Sequence, residues 1–140
     1  LSHRFPHPYT VEEARAWVNR CQETDKRDTT VGIEIDNEVT GLIEFRLQDG
    51  VDAKTAHLAY WLGENYWGKG ICTKAVGLVT AHAFGNFDLV RMQANVYQDN
   101  PGSIKVLERN GYRLEGILRK SIFKDGEIID QSVYAKINER

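Results

Sequence analysis

The sequence of 140 residues has only two cysteines, Cys21 and Cys72, which lie far apart and form no C-x-x-C pair. Neither a disulfide framework nor a structural zinc site is therefore expected. No apolar run approaches the roughly 20 residues that a membrane-spanning helix needs. The chain also opens without the apolar segment of a secretory leader. These absences together predict a protein of the reducing cytoplasm.

The sequence also lacks a large excess of either positive or negative charge. Lys and Arg number 18 against 20 Asp and Glu, which gives a net charge of −2 and a pI of about 6.1. Without a basic patch, neither stable nucleic-acid binding nor attachment to an anionic membrane is expected. The 41% hydrophobic content is typical of one globular domain, expected to span residues 1–140. A domain of this size buries enough apolar surface to fold without a metal.

The hydrophobic periodicity predicts the order α–β–β–β–α–β–α–β–β. Strand–helix–strand passages in the middle imply a parallel crossover, and hairpin turns on either side imply antiparallel pairs. The sequence thus predicts an α/β (α+β) fold with a mixed, mostly antiparallel sheet. The predicted strands are Thr30–Asp36, Val39–Leu47, Thr55–Gly63, Leu89–Tyr97, Tyr112–Phe123 and Glu127–Ile137. The predicted helices are Val11–Gln22, about Ile71–Phe84, and a short helix that Asn100 and Pro101 open and Gly111 closes.

The second predicted helix is assigned a buried side formed by Ile71, Ala75, Leu78, Val79 and His82. These residues recur at helical spacing and fall on one side of the helix.

A glycine-containing loop joins the third predicted strand to this helix. Glycines at Gly68 and Gly70 allow backbone N–H groups to point at an anion, and the helix start adds unpaired donors. The spacing matches neither the P-loop nor the G-x-G-x-x-G fingerprint, so a nucleotide-binding regulatory domain is disfavoured. Taken alone, the two glycines are equally explained by the steric needs of a turn.

The surrounding sequence resembles the GNAT superfamily of N-acetyltransferases. Asn65-Tyr66-Trp67-Gly68-Lys69-Gly70 resembles its Q/R-x-x-G-x-G/A signature for the pyrophosphate of coenzyme A, although Asn65 replaces the usual Gln or Arg. The similarity runs from about Pro8 to Ala135 and is greatest to the RimJ/RimL branch of ribosomal-protein N-terminal acetyltransferases. It implies a twisted GNAT-type sheet with helices on both faces, although the family's first strand has no counterpart ahead of Phe5. The other matching segments are Tyr60-Trp61-Leu62, Asn100-Pro101-Gly102-Ser103-Ile104, Asn110-Gly111-Tyr112 and Glu115-Gly116.

The resemblance implies that acetyl-CoA donates an acetyl group to a primary amine by direct attack, without a covalent enzyme intermediate and without a metal. It implies that the glycine loop holds the pyrophosphate and that the central strand pairs with pantetheine, with an oxyanion donor near Leu62. The residues implied in cofactor binding are Trp61, Leu62, Asn65, Trp67, Gly68, Lys69, Gly70, Ile71, Thr73, Asn100 and Ser103.

Proton transfer needs a base for the amine and an acid for the departing thiolate. His57, Glu44 and Glu34 are the candidate bases, and each is equally a strand residue without a catalytic role. The family's usual tyrosine acid is replaced by Leu107. In the RimL-like branch a serine matching Ser103 is assigned to the sulfur, but helix capping explains that serine as well.

The acceptor amine stays open at this stage. A protein N-terminus, a polyamine or other small amine, and an amine-bearing antibiotic or toxin all fit. A non-catalytic acyl-CoA-binding module is a further alternative, supported by Leu107 in place of the tyrosine. Relatives of this branch are often dimers, so the resemblance also leaves a homodimer open.

Overall fold

The structure is a computed structural model and describes residues 28–139. The predicted first helix, Val11–Gln22, lies outside these residues. The described strands are β1 (Asp28–Ile35), β2 (Glu38–Leu47), β3 (Thr55–Leu62), β4 (Arg91–Tyr97), β5 (Arg113–Lys124) and β6 (Glu127–Ile137). The described helices are α1 (Ile71–Asn86) and α2 (Pro101–Arg109), with 3₁₀ turns at Gly50–Asp52 and Glu64–Tyr66. The order β–β–β–α–β–α–β–β within this region agrees with the prediction.

Two tight turns set the hairpin registers. Asp36 and Asn37 join β1 to β2 with φ of 53° and 67°, and Asp125 and Gly126 join β5 to β6 with φ of 51° and 78°. Two consecutive positive φ angles are typical of the type I′ turn, which Asp, Asn and Gly tolerate best. Both predicted hairpins are therefore confirmed.

The six described strands form one sheet in the order β1-β2-β3-β4-β6-β5. Every neighbouring pair is antiparallel except β3 and β4, which are parallel and joined through α1. The predicted mixed, mostly antiparallel sheet with a central parallel crossover is confirmed.

The hydrophobic core lies between one face of the sheet and the two described helices. Core residues on the strands include Phe45, Leu58 and Met92, and Val76 and Leu107 join them from α1 and α2. The opposite face of the sheet carries the intervening side chains of each strand, because successive residues of a strand point to opposite faces.

The predicted buried side of α1 is wrong in part. Leu78 is 64% exposed and His82 also faces solvent, whereas Val76, Thr80 and Ala83 are buried. The buried stripe is rotated by about 100°, which is one residue along a helix of 3.6 residues per turn. Small and apolar residues occur all round this helix, so contact with the sheet decides which side is covered.

Candidate active site

The central feature of the sheet is an opening between β3 and β4. Their parallel register covers only three pairs, from Thr55 opposite Arg91 to His57 opposite Gln93. Beyond that point β3 stays paired with β2 as far as Leu62, and β4 stays paired with β6 as far as Tyr97. The two strands therefore part towards their C-terminal ends and leave a cleft.

Backbone groups of β3 face this cleft. The carbonyl of Thr55 accepts from the Gln48 N–H at 3.1 Å, and the Gly63 N–H donates to the Thr40 carbonyl at 2.9 Å, so odd-numbered residues face β2. Backbone polar groups alternate sides along a strand, so those of Tyr60 and Leu62 face the cleft. Beyond the last pair with β4, no described strand bonds to these groups. Except for the Leu62 carbonyl, they are available to an extended ligand, whereas the backbone of Trp61 is turned towards β2.

The loop after β3 is fastened to the strand end. The indole N–H of Trp67 donates to the Leu62 carbonyl at 2.7 Å. Gly68 and Gly70 have φ of 74° and 76°, and a Cβ at either position would meet nothing within 4 Å. The glycines are thus required by the backbone conformation, and the space beside them is open.

The loop from Gly63 to Gly70 is called the glycine bend, and the N-terminus of α1 follows it. Its N-cap is Gly70, which supplies no side-chain cap, and the first turn carries no acidic residue. The leading N–H groups of a helix have no partner within the helix and attract anions. The predicted cofactor residues Asn65, Lys69, Ile71 and Thr73 all lie on this bend or on the first turn of α1. The bend is therefore open beside its glycines, and its binding of an anion stays a prediction.

Helix α2 begins beside the cleft, with Asn100 as its N-cap. The Asn100 Oδ1 accepts from the Ser103 N–H at 3.1 Å, which confirms the predicted cap. The Ser103 hydroxyl takes no part in that cap. Its Oγ lies 2.5 Å from the hydroxyl oxygen of Tyr60, which also donates to the Ser103 carbonyl at 3.1 Å.

Tyr60 is a candidate site residue that the sequence analysis did not identify. Tyr60 and Ser103 are each 5% exposed, and burial raises the pKa of Tyr60, which keeps its phenol protonated. Leu107, at the position of the family's tyrosine, is fully buried in the core. The tyrosine hydroxyl beside Ser103 comes instead from the central strand.

The candidate bases occupy the sheet face opposite the described helices. Glu44 is 1% exposed on β2 and lies opposite Ala59, whereas His57 lies at the closed end of the cleft. Partial burial and the nearby Arg91 lower the pKa of His57 below its usual 6.5, so its imidazole is neutral at pH 7. Glu34 is exposed on the outermost strand, β1, with β2 between it and β3. The structure therefore does not bring Glu34 to the cleft.

Comparison with known proteins identifies the family. Residues 2–113 match the family model described as "Acetyltransferase (GNAT) domain". The chain belongs to the GNAT acetyltransferase family. It is therefore an acetyl-CoA-dependent N-acyltransferase, and acetyl-CoA is its cosubstrate.

Relatives of this GNAT chain include ribosomal-protein acetyltransferases. It is 36% identical over 135 residues to "Probable N-acetyltransferase YjcK" of Bacillus subtilis, covering 93% of this chain and 74% of that protein. It is 34% identical over 102 residues to the ribosomal-protein-serine acetyltransferase of Escherichia coli, covering 73% and 56%. The structure of RimL, a ribosomal L7/L12 alpha-N-protein acetyltransferase in complex with coenzyme A, has a TM-score of 0.80 at 28% identity over 90% of this chain and 72% of that one. These similarities confirm the RimJ/RimL-like branch.

Other kinds of site find little support in the described region. Between residues 28 and 139, no three His, Cys, Asp or Glu residues are grouped so as to hold a metal ion. Nor is any helix in that range long and apolar enough to cross a membrane. Cys72 is a half-buried free thiol near the start of α1, and burial raises its pKa to about 11.

Proposed function

We propose that this GNAT enzyme transfers the acetyl group of acetyl-CoA to the N-terminal amine of a protein or peptide, in the cytoplasm. The observation that carries the proposal is the cleft between β3 and β4, which leads from the free backbone groups of Tyr60 and the Leu62 N–H to an open glycine bend. An acyl-pantetheine arm has the extended shape and the amides to pair with such a strand edge. Two of the relatives are named for acetylating ribosomal proteins, which supports a protein N-terminus as the acceptor.

The glycine bend is proposed to bind the pyrophosphate of acetyl-CoA. Gly68, Lys69, Gly70 and the first turn of α1 offer backbone N–H groups, and the partial positive charge of the helix start adds to their attraction. Lys69 places a cationic side chain on the same bend, with its Nζ 5.9 Å from the centre of the Tyr66 ring. The Leu62 N–H faces the cleft and is proposed to steady the negative charge that develops on the thioester oxygen.

In this reaction the nitrogen of the acceptor amine must lose a proton, and the sulfur of the departing CoA must gain one. The amine attacks the carbonyl carbon, the C–N bond forms, and the C–S bond breaks with its electron pair going to sulfur. Glu44 or His57, directly or through water, is proposed to accept the proton that leaves nitrogen. Ser103 is proposed to give a proton to the departing thiolate and to regain one from water, to which the base releases the proton that it accepted, so that an amide and free CoA thiol result.

Tyr60 supports the acid role of Ser103. Its phenol has one proton and lies within hydrogen-bond distance of both the Ser103 carbonyl and the Ser103 Oγ. When the phenol donates to the Oγ instead of the carbonyl, the serine proton is free to point into the cleft. A donor on the Oγ also stabilises the negative charge that the serine takes on as its proton departs. Tyr60 is thus proposed as a positioning residue that acts through Ser103.

A thiol-release assay tests this function. The protein is incubated with acetyl-CoA and a panel of acceptors, namely short peptides with free N-termini, polyamines and amine-bearing antibiotics, and free CoA is measured. The proposal expects rapid release with peptides and slower release with the small amines. Release only with small amines would refute the peptide acceptor. Protection from melting by acetyl-CoA without thiol release from any acceptor would refute catalysis.

A further inference from the structure

A chain of polar side chains runs along β4 on the face opposite the described helices. The carboxylate oxygens of Glu115 accept from both terminal nitrogens of Arg91, at 2.9 and 2.7 Å. Arg91 donates in turn to the Gln93 Oε1 at 2.9 Å, and the Gln93 Nε2 donates to the Asn95 Oδ1 at 3.1 Å. These side chains form a polar ladder of Glu115, Arg91, Gln93 and Asn95.

The direction of the hydrogen bonds in the ladder is fixed by the bond between Arg91 and Gln93. A guanidinium has donors and no acceptor, so Gln93 must present its oxygen to Arg91. The amide nitrogen of Gln93 then faces Asn95, which must present its own oxygen. The Asn95 Nδ2 is consequently directed away from the ladder, and it donates to no protein group in the part of the chain that the structure describes.

Asn95 lies beside the cleft. It is two residues past Gln93, the last β4 residue paired with β3, and its side chain is half-buried. Continued along the strands, the register would set Asn95 opposite Ala59, which in turn faces Glu44 on β2. The Asn95 amide and the Glu44 carboxylate therefore lie in one row of the same sheet face, on either side of the cleft.

We infer that the Asn95 Nδ2 binds a carbonyl oxygen of the acceptor, namely the peptide carbonyl next to the amine that is acetylated. This inference rests on the proposed function and adds the chemical feature by which the acceptor is chosen. A half-buried amide donor without a partner favours a ligand that carries an acceptor oxygen. A protein N-terminus has such an oxygen beside its amine. Alkylamines and polyamines have none.

Two substitutions test the inference from different positions. Asn95→Asp removes the outward donor but still accepts from Gln93. Gln93→Glu leaves residue 95 unchanged but offers it an oxygen, so the Asn95 amide should turn its nitrogen inward and its oxygen towards the cleft. The ratio of variant to wild-type kcat/KM is measured with a short peptide and with n-butylamine, because each ratio cancels the intrinsic nucleophilicity of its amine.

Both variants are expected to lose about tenfold in kcat/KM for the peptide, as for one lost hydrogen bond, and less than about twofold for butylamine. Gln98→Glu is the matched control, since it adds the same charge just beyond β4 on an exposed side chain outside the ladder. It should alter neither ratio. Melting temperature and acetyl-CoA affinity are measured for all three variants to exclude misfolding.

Equal losses with both acceptors, or an unchanged rate with the peptide, would overturn the inference while leaving the proposed function in place. If the wild-type protein releases CoA only with small amines, or releases none with any acceptor of the panel, the peptide acceptor and this inference are overturned together. The wild-type panel and the variant ratios thus separate the two failures.

Discussion

Replacing Tyr60 with Phe removes one hydroxyl group and leaves the ring in the core. The Ser103 Oγ at 2.5 Å and the Ser103 carbonyl at 3.1 Å both lose that partner. Both residues are 5% exposed, so water does not easily replace the missing group. An unsatisfied buried polar group costs about 1–3 kcal/mol, which corresponds to a fall in melting temperature of roughly 3–10 °C.

The catalytic effect should exceed what stability explains. A positioned general acid contributes about 10²–10⁴-fold to a rate, so Ser103→Ala is expected to lower kcat by about 100-fold. Tyr60→Phe keeps the acid but loses the donor that orients it, and should lower kcat by about tenfold. The KM for acetyl-CoA should change little, because the backbone edge and the glycine bend are untouched.

A double-mutant cycle decides whether Tyr60 acts through Ser103. If it does, the double variant should be no slower than Ser103→Ala alone, a coupling of about 1.4 kcal/mol for a tenfold effect. Thiol release under saturating acetyl-CoA and peptide measures all four proteins, at a temperature well below the lowest melting point. Independent effects that multiply to about 1000-fold would refute the reasoning, and so would an unchanged kcat in Ser103→Ala.

The other predictions concern the bend, the base and the sheet. Gly68→Asp should weaken acetyl-CoA binding at least about tenfold relative to Gly68→Asn, because the Asn side chain has the same shape without the charge and also tolerates the positive φ. Equal affinities of the two variants by calorimetry would contradict a pyrophosphate at the bend. Because the pKa of His57 is lowered, its base form persists below pH 6.5, so kcat/KM should fall only at lower pH. His57→Gln should remove this fall on the acidic side of the pH profile. An unaltered fall excludes His57 as the base. The buried Oγ1 of Thr30 has no hydrogen-bond partner among residues 28–139, so Thr30→Val should raise stability by about 1 kcal/mol, seen as a melting point roughly 3–5 °C higher. A lower melting point would show that the hydroxyl is satisfied.

Local chemistry made much of the fold predictable. The Asp-Asn and Asp-Gly turns, and the cap at Asn100, each depend on a few adjacent residues whose backbone preferences are strong. The strand–loop–helix passage with its glycines is local in the same way. These elements agree with the sequence analysis because little beyond their own residues decides them.

The features that were missed depend on contacts between distant parts of the chain. Tyr60 and Ser103 are 43 residues apart, and only the register of β3 against the start of α2 brings their hydroxyls together. Arg91 and Glu115 are 24 residues apart, and that pair gives the polar ladder its direction. Neither spacing produces a periodic pattern, so the sequence offered no means of finding them.

The bond from the Trp67 indole to the Leu62 carbonyl affects the register in which an extended ligand can pair with β3. With that oxygen occupied, an extended chain entering from the bend meets a donor first, at the Leu62 N–H, and finds its first free acceptor one pair further in, at the Tyr60 carbonyl. The order of free donors and acceptors along this edge of β3 therefore determines which groups of an extended ligand can pair with it. In the proposed complex, this register would determine where the acyl-pantetheine arm lies along β3, and so how far its thioester is from Ser103.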